Sequence, residues 1–183
     1  MKPGPPPRLE TERLILREFM DKDLERMHRM RSSKRVMDNI GRDPQDLEQV
    51  KELISNCEQA NKTGEMIVWV MADKQTDELI GNMGFFRIDW NHFRGEIGYS
   101  ILEDYFGQGY TTEAIAAALN YGFNEAGFHS IFGNINPKNG TSRRVLEKNG
   151  FVKEGYFRES YYHNGVFTDS EILSLLKADW EKR

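Results

Sequence analysis

Glu103-Asp104-Tyr105-Phe106-Gly107-Gln108-Gly109-Tyr110-Thr111-Thr112-Glu113-Ala114 is the stretch that leaves this chain the fewest ways to fold. A strand predicted over 96–102 runs into a loop with two glycines, and an alanine-rich helix begins at once. That order requires a sheet with a helix laid back on it. It also places the N–H groups of Gly107, Gln108, Gly109, Tyr110, Thr111 and Thr112 at the positive end of a helix, where a diphosphate binds best. Glycine lets the main chain approach a ligand closely because it lacks Cβ. A plain strand-to-helix turn is the other reading of two glycines. A Walker loop is excluded, since no lysine follows Gly109, and a dinucleotide fingerprint fails at Thr112 and sits too late in the chain.

The rest of the chain supplies the sheet. A first strand is predicted over 9–19, with Leu14 and Leu16 on one face and Ile15 on the other. Asp21 is placed to cap a short helix carrying Leu24, Met27, His28 and Arg31 along one side. Asp43-Pro44 marks a second helix start, and Leu47, Val50, Leu53, Ile54 and Cys57 recur at helical spacing until Gly64. Residues 66–72 are almost uniformly apolar, as an interior strand requires. Strands follow over 79–88 and 96–102, a helix over 110–126 ended by Gly127, a strand over 131–136 and a short helix over 142–149. A terminal hairpin turns at Asn164-Gly165. The sum is one α/β domain with a mixed sheet over residues 8–183, after a proline-rich lead-in at 1–7 that reads as disordered or extended.

With 183 residues and a formal charge of −4, the chain carries no basic stripe, which disfavours nucleic acid as a partner and suits a cationic substrate. No apolar run approaches the roughly 20 residues of a membrane span. The lone Cys57 allows no internal disulfide, which fits a cytoplasmic location. His28, His92, His129 and His163 lack metal-site spacing, so no metal is expected. Cys57 falls on an apolar helical face, as a buried thiol rather than a nucleophile.

A second motif, Asn136-Pro137-Lys138-Asn139-Gly140-Thr141-Ser142-Arg143-Arg144-Val145-Leu146-Glu147-Lys148-Asn149-Gly150-Phe151, follows the glycine loop. Together with Glu96–Leu102 and Gly107–Ala114 it resembles the GNAT superfamily of N-acetyltransferases, within it the ribosomal-protein-alanine N-acetyltransferase branch. The opening Arg8–Arg17 and the closing 169–180 segment share that likeness. The family's loop pattern falls on Phe106, Gly109 and Thr111. Phe106 departs from the general pattern, and Thr111 stands where the family has Gly or Ala.

The resemblance implies a mostly antiparallel sheet splayed between two central parallel strands, 96–102 and 131–136, with helices on both faces. It implies acetyl-CoA as cosubstrate, its diphosphate on Gly107–Thr112 and its pantetheine arm against the main chain of Ile101 and Leu102, where an N–H would polarise the thioester carbonyl. Asn139 aligns with an asparagine near the pantetheine; a helix cap is its other reading. Arg144 and Lys148 would meet the cofactor's phosphates, or form a solvated helix face.

Acetyl transfer needs a neutral amine, and Glu96, alternating with Gly98 and Ser100, is the candidate base. A strand-end salt bridge is its bland alternative. The tyrosine that protonates the leaving thiolate in many relatives is replaced by Leu146. Ser142, one turn earlier on that helix, is the candidate donor, or else a cap of its first turn. Tyr99, Tyr161 and Tyr162 are further hydroxyls. Acceptor choice is expected from the early helices, the hairpin loop and the Arg87–Arg94 connection, where Trp90, Asn91, His92 and Phe93 read as a site rim or an exposed turn. The expected acceptor is a protein N-terminal amine, with a small cationic amine (a polyamine or aminoglycoside) or a silent coenzyme-A sensor as alternatives. Both a monomer and a homodimer remain open.

Overall fold

The apolar run at 66–72 becomes β3 (Ile67–Asp73), buried throughout from Ile67 to Ala72. Burial on both faces demands a layer on each side. The computed structural model describes residues 4–183, and among these eight strands form one sheet of order β1-β2-β3-β4-β5-β6-β8-β7. The strands are β1 (Leu9–Glu10), β2 (Leu14–Arg17), β3, β4 (Leu79–Asp89), β5 (Arg94–Ile101), β6 (Ser130–Ile135), β7 (Val152–His163) and β8 (Val166–Leu176). Neighbours run antiparallel except β5 and β6, which run parallel.

On one face α4 (Tyr110–Asn124) and α5 (Gly140–Lys148) cover a core of Leu14, Leu16, Trp69, Phe85, Ile97, Phe123, Leu146, Leu173 and their neighbours. Trp69 meets Phe85 and Tyr121 edge-on, with ring centroids 6.0 and 5.3 Å away, the geometry that aromatic quadrupoles favour. On the other face α1 (Leu24–Ser32), α2 (Lys34–Asn39) and α3 (Leu47–Thr63) pack over Ile15, Met27, Met30, Val50, Val68, Val70 and Leu102. The split of Leu14 and Leu16 from Ile15 follows the expected alternation. A short α6 (Lys177–Trp180) closes the chain.

Local chemistry moved several boundaries. The strand expected over 9–19 is a tight β1–β2 hairpin, because Thr11 N–H bonds back to the Leu14 carbonyl at 2.9 Å. Asp21 does not cap; it opens a single 3-10 turn, and Asp23 accepts from the Met20 N–H instead. Asp23 is buried and paired with Arg17 at 2.7 Å, and Arg17 also reaches Asp77 at 2.7 Å. α2, capped by Ser33, was not foreseen. α3 starts at Leu47 rather than at Asp43-Pro44, since Asp46 and Gln49 form a capping box. Gly64 ends it at φ 68°. The short helix begins at Gly140, two residues before the expected Ser142. Residues 1–3 of the lead-in lie outside the described residues. Farther along it, Pro6 is buried and the Pro7 carbonyl accepts the Trp69 indole N–H at 2.8 Å, so its end is anchored.

Candidate active site

Pairing between β5 and β6 lasts three rungs: Arg94 with Ser130, Gly95 with Ile131 and Glu96 with Phe132. β5 then continues to Ile101 and β6 to Ile135 with no further rung between them. The sheet therefore opens into a wedge with Glu96 at its apex. On its other edge β5 stays registered with β4 as far as Ile101 opposite Gly81, and the Leu102 N–H donates to the Ile80 carbonyl at 2.8 Å. Main-chain groups alternate edges along a strand, so the Ile101 N–H points into the wedge. Leu102 thus departs from its expected part: its N–H is bonded to β4, and Ile101 carries the inward-directed donor.

The glycine loop stands at the wide end of this wedge. Gly107 and Gly109 have φ of 73° and 85°, a left-handed backbone that suits glycine. Gly109 is the N-cap of α4 and no side chain caps that end. The first intrahelical bond runs from Glu113 N–H to the Gly109 carbonyl at 3.1 Å, so the N–H groups of Tyr110, Thr111 and Thr112 have no acceptor within the helix. The Gln108 side chain donates to the Asp104 carbonyl at 2.7 Å, and its own carbonyl accepts from Arg13 at 3.0 Å. Arg13 and Glu113 were missed in the sequence. Arg13 lies 4.2 Å over the Tyr110 ring and pairs with Glu113 at 2.7 Å, adding a cation beside the loop. Burial opposes ionisation of Glu113, but hydrogen bonds from Thr11 and Arg13 outweigh it and hold the carboxyl below its ordinary value.

Glu96 and Ser142 approach the wedge from opposite faces. Ile97 and Ile101 belong to the core under α4, so alternation turns Glu96, Gly98 and Ser100 toward the α1–α3 layer. The Glu96 side chain is 16% exposed and pairs with Arg87 at 2.8 Å. Burial raises its pKa above the ordinary 4.5, against the pull of Arg87. That is the direction a base needs to work near neutral pH. Tyr99, on the opposite face, reaches toward the Ser142 carbonyl at 3.4 Å, and burial pushes its pKa up to about 12.

Ser142 is not the helix cap. Asn139 is: its Oδ1 accepts the Ser142 N–H at 3.0 Å while its Nδ2 donates to the Asn39 carbonyl at 3.2 Å. The asparagine therefore ties α5 to α2. Arg144 and Lys148 stand exposed on α5, whereas Arg143 is engaged at 2.5 Å with the buried Glu171. Leu146 is 1% exposed and packs where Gly133 leaves no Cβ, only 2.8 Å from where one would stand.

Three expectations about the periphery change. The Arg87–Arg94 turn sits at the start of β5, roughly 23 Å of strand from Ile101. Trp90 there stacks on Phe128 at 5.4 Å and donates to the Gly64 carbonyl at 2.8 Å, which makes it a packing residue and not a site rim. Tyr161 donates to the Gly41 carbonyl at 2.8 Å, so its hydroxyl holds the α2–α3 loop to the hairpin. Asp43, read as a helix start, accepts from Asn164 at 2.8 Å at the hairpin tip. Cys57 is 3% exposed, and burial pushes its thiol up to about 11, which keeps it protonated.

A cavity of about 350 Å³ opens beside the end of β5, lined by Arg29, Met30, Ser33, Val36, Leu102, Glu103 and Asp104. Its acids are already engaged: Asp104 with Arg29 at 2.5 Å, Glu103 with the Ser33 hydroxyl and with Arg35 at 3.5 Å.

A sheet wedged open between parallel strands, with a bare helix start at its mouth, is the frame of an acetyltransferase, and residues 13–152 match the acetyltransferase (GNAT) domain family. The chain belongs to that family and is an N-acetyltransferase. It is 34% identical over 172 residues to the uncharacterized N-acetyltransferase YoaA of Bacillus subtilis (93% of this chain, 97% of that protein). It is 28% identical over 185 residues to the [ribosomal protein uS5]-alanine N-acetyltransferase of Escherichia coli (96% and 94%). In fold it is similar to the spermidine N-acetyltransferase of Vibrio cholerae, solved with CoA and spermine, at a TM-score of 0.82 and 24% identity (93% and 99%). Among the described residues no helix is long and apolar enough to cross a membrane.

Proposed function

We propose that this enzyme transfers the acetyl group of acetyl-CoA to the α-amine of a protein or peptide N-terminus. The observation that carries the choice of acceptor is the pairing of the acids around the wedge. Glu96, Glu103 and Asp104 each face an arginine. A polyamine pocket needs several carboxylates left over for the ligand's charges. No surplus carboxylate is left, so a single amine is the fitting acceptor, its proton taken by Glu96, the most buried of the three acids. The uS5-alanine relative supports the same reading, and the spermidine enzyme is a likeness of fold.

In this scheme the N–H groups of Gly107–Thr112 hold the diphosphate, with Arg144 and Lys148 free to meet the remaining phosphate. The pantetheine lies along β5, and the Ile101 N–H faces the thioester carbonyl. Charge developing on that oxygen gains most from a donor already in place. Glu96 accepts a proton from the acceptor ammonium, directly or through water. The amine nitrogen then forms the new C–N bond as the C–S bond breaks. The thiolate takes up a proton relayed through the Ser142 or Tyr99 hydroxyl, and the second proton that the nitrogen sheds as it becomes an amide balances the one delivered to sulfur. Asn139 acts as a positioning residue, because both ends of its amide are engaged by the protein.

The test is thiol release from acetyl-CoA with two acceptor sets, peptides with free alanine or serine termini and a series of polyamines. Turnover on peptides at a kcat/KM at least tenfold above spermidine is expected. Preference for the polyamines overturns the acceptor; tight CoA binding without turnover on either set favours a sensor.

A further inference from the structure

Among the described residues the fold buries two arginines, and it treats them differently. Arg17, 3% exposed, meets Asp23 and Asp77 at 2.7 Å each. Arg31, in the last turn of α1, is 8% exposed, and no carboxylate of the described residues pairs with it. Its Nε is buried without a hydrogen-bond partner, and its one side-chain contact of that kind is from Nη1 to the Met37 sulfur at 3.9 Å. A buried charge left alone is strongly destabilising, so a chain that keeps one needs something to neutralise it. The surroundings supply no counter-charge. Asp38 is engaged by Lys34 at 2.8 Å, Asp43 by Asn164 at 2.8 Å, and Asp46 caps α3. The C-terminus of α1 offers about half a charge, and the Arg31 carbonyl there already accepts the Gln45 N–H at 2.9 Å. Cys57, close by on α3, stays protonated.

We infer that Arg31, Arg42 and Gln45 form a site for a small monovalent anion, a chloride ion or a single carboxylate, beneath the α2–α3 loop. The group that approaches Arg31 is a second cation. Arg42 is exposed in that loop, and its main chain is folded back onto the Met37 carbonyl at 3.1 Å. Burial and the Arg42 guanidinium together draw the Arg31 pKa down to about 10. Two cations brought together without an acid repel each other, and an anion beside both reverses the sign. Gln45 adds a buried amide oxygen without a partner. The oxygen and nitrogen of an amide exchange places by a half turn, so the same side chain can present N–H donors instead. The small part of Arg31 left at the surface admits an ion or the end of one side chain, not a nucleotide. The site is built from α1, α2 and the loop before α3, whereas the diphosphate cradle begins α4. Its occupant would steady the segment that Asn139 and Tyr161 hold from the other side, through the Asn39 and Gly41 carbonyls.

Thermal unfolding of the full chain tests this, in chloride, acetate and methanesulfonate at equal ionic strength, with CoA saturating so that the cradle is already filled. The melting temperature is expected to rise saturably with chloride or acetate, by about 3–6 °C at ten times the dissociation constant. Arg31→Met removes the charge and keeps an apolar stem. It should abolish the rise and be at least as stable as wild type in methanesulfonate. Arg42→Gln, at an exposed position, keeps the question answerable should Arg31→Met fail to fold, and it should weaken anion binding about two- to fivefold. Chlorine NMR lines broadened by wild type but not by Arg31→Met would report the binding directly. Acceptor peptides with and without an acidic residue near the terminus separate the two sources. Competition between chloride and the acidic peptide, lost in Arg31→Met, assigns the site to an acceptor carboxylate; its absence assigns the site to a free ion. A melting temperature equal in all three salts overturns the inference, and so does an anion effect that both substitutions leave intact.

Discussion

The two halves of this sheet obey different physics. From β2 to β4 the strands are roofed on both sides, and β3 reads as unbroken apolar sequence with Trp69, Val68, Val70 and Met71 wholly buried. Farther along, β6 and the end of β8 are roofed on one side, and β7 is exposed on both faces along nearly its whole length. The first half holds one ion pair away from water, Arg17 with Asp23, and Arg17 reaches from it to the part-exposed Asp77. The second keeps its aromatic and aliphatic side chains at the surface. The proposed chemistry belongs to neither half. It sits in the seam between them, where β5 and β6 part company after Glu96. A wall and an arm, joined at three rungs and through the core they share under α4 and α5, make a site whose width is set by how the halves are held together.

The largest effect that would break this contrast is on the roofed side. Asp23→Ala leaves Arg17 buried, with its main partner gone, and is expected to cost about 3–5 kcal/mol in urea unfolding. A loss below about 1 kcal/mol would mean that the network is no more than surface decoration. Next comes the seam. Glu96→Gln should lower kcat/KM by about 10²–10⁴ and remove the acid limb of the pH profile. Its stability should move the other way. Burial raises the Glu96 pKa, so the fold favours the protonated carboxyl, and the associated stability is present at low pH and lost as pH rises through the raised value. The Gln variant should therefore be at least as stable as wild type at neutral pH, with a flatter stability profile above pH 4.5. A destabilised variant would assign Glu96 to the salt bridge with Arg87.

A smaller effect is expected for Asn139→Ala, which removes the α5 cap and the tie to Asn39 at about 1–2 kcal/mol, with KM for acetyl-CoA raised more than kcat is lowered. An unchanged KM would remove Asn139 from any part in the site. Smallest of all, Val166→Ser on the bare arm should change the unfolding free energy of the isolated chain by less than about 0.5 kcal/mol; a larger loss in dilute solution would show that the arm is covered within one chain.

Much of this was legible wherever the determining contacts are local. The glycine loop and the helix behind it are a continuous segment, and the left-handed Gly107 and Gly109 fall where the sequence placed them. The hairpin at Asn164-Gly165 formed as turn chemistry requires, with both residues at positive φ. Several of the misreadings share one cause, a polar residue spent on a distant partner. Asp43 looks like a helix start but bonds Asn164, 121 residues away in sequence. Trp90 looks like a site rim but donates to Gly64. Arg13 and Glu113, 100 residues apart, carry no local signal of their pairing. Asp46 and Gln49 did: an Asx residue followed three positions later by Gln is a visible capping box, outweighed in the reading by the nearby proline. The extent of the wedge was reachable only through family likeness, because the rung at which two parallel strands stop pairing depends on their packing and not on their own residues.

That wedge leaves the sheet incomplete. Past Glu96 the main chain of β5 offers hydrogen-bonding groups along its inner edge that β6 does not meet, and in a folded protein such groups seek partners. An extended molecule lying in the opening would serve as a ninth strand and tie wall to arm, much as mortar joins two courses of brick. A ligand bound only by the native state adds about 2.7 kcal/mol at one hundred times its dissociation constant. The melting temperature of this enzyme should therefore track its cosubstrate supply, and the chain should be at its most fragile when acetyl-CoA and CoA are both scarce.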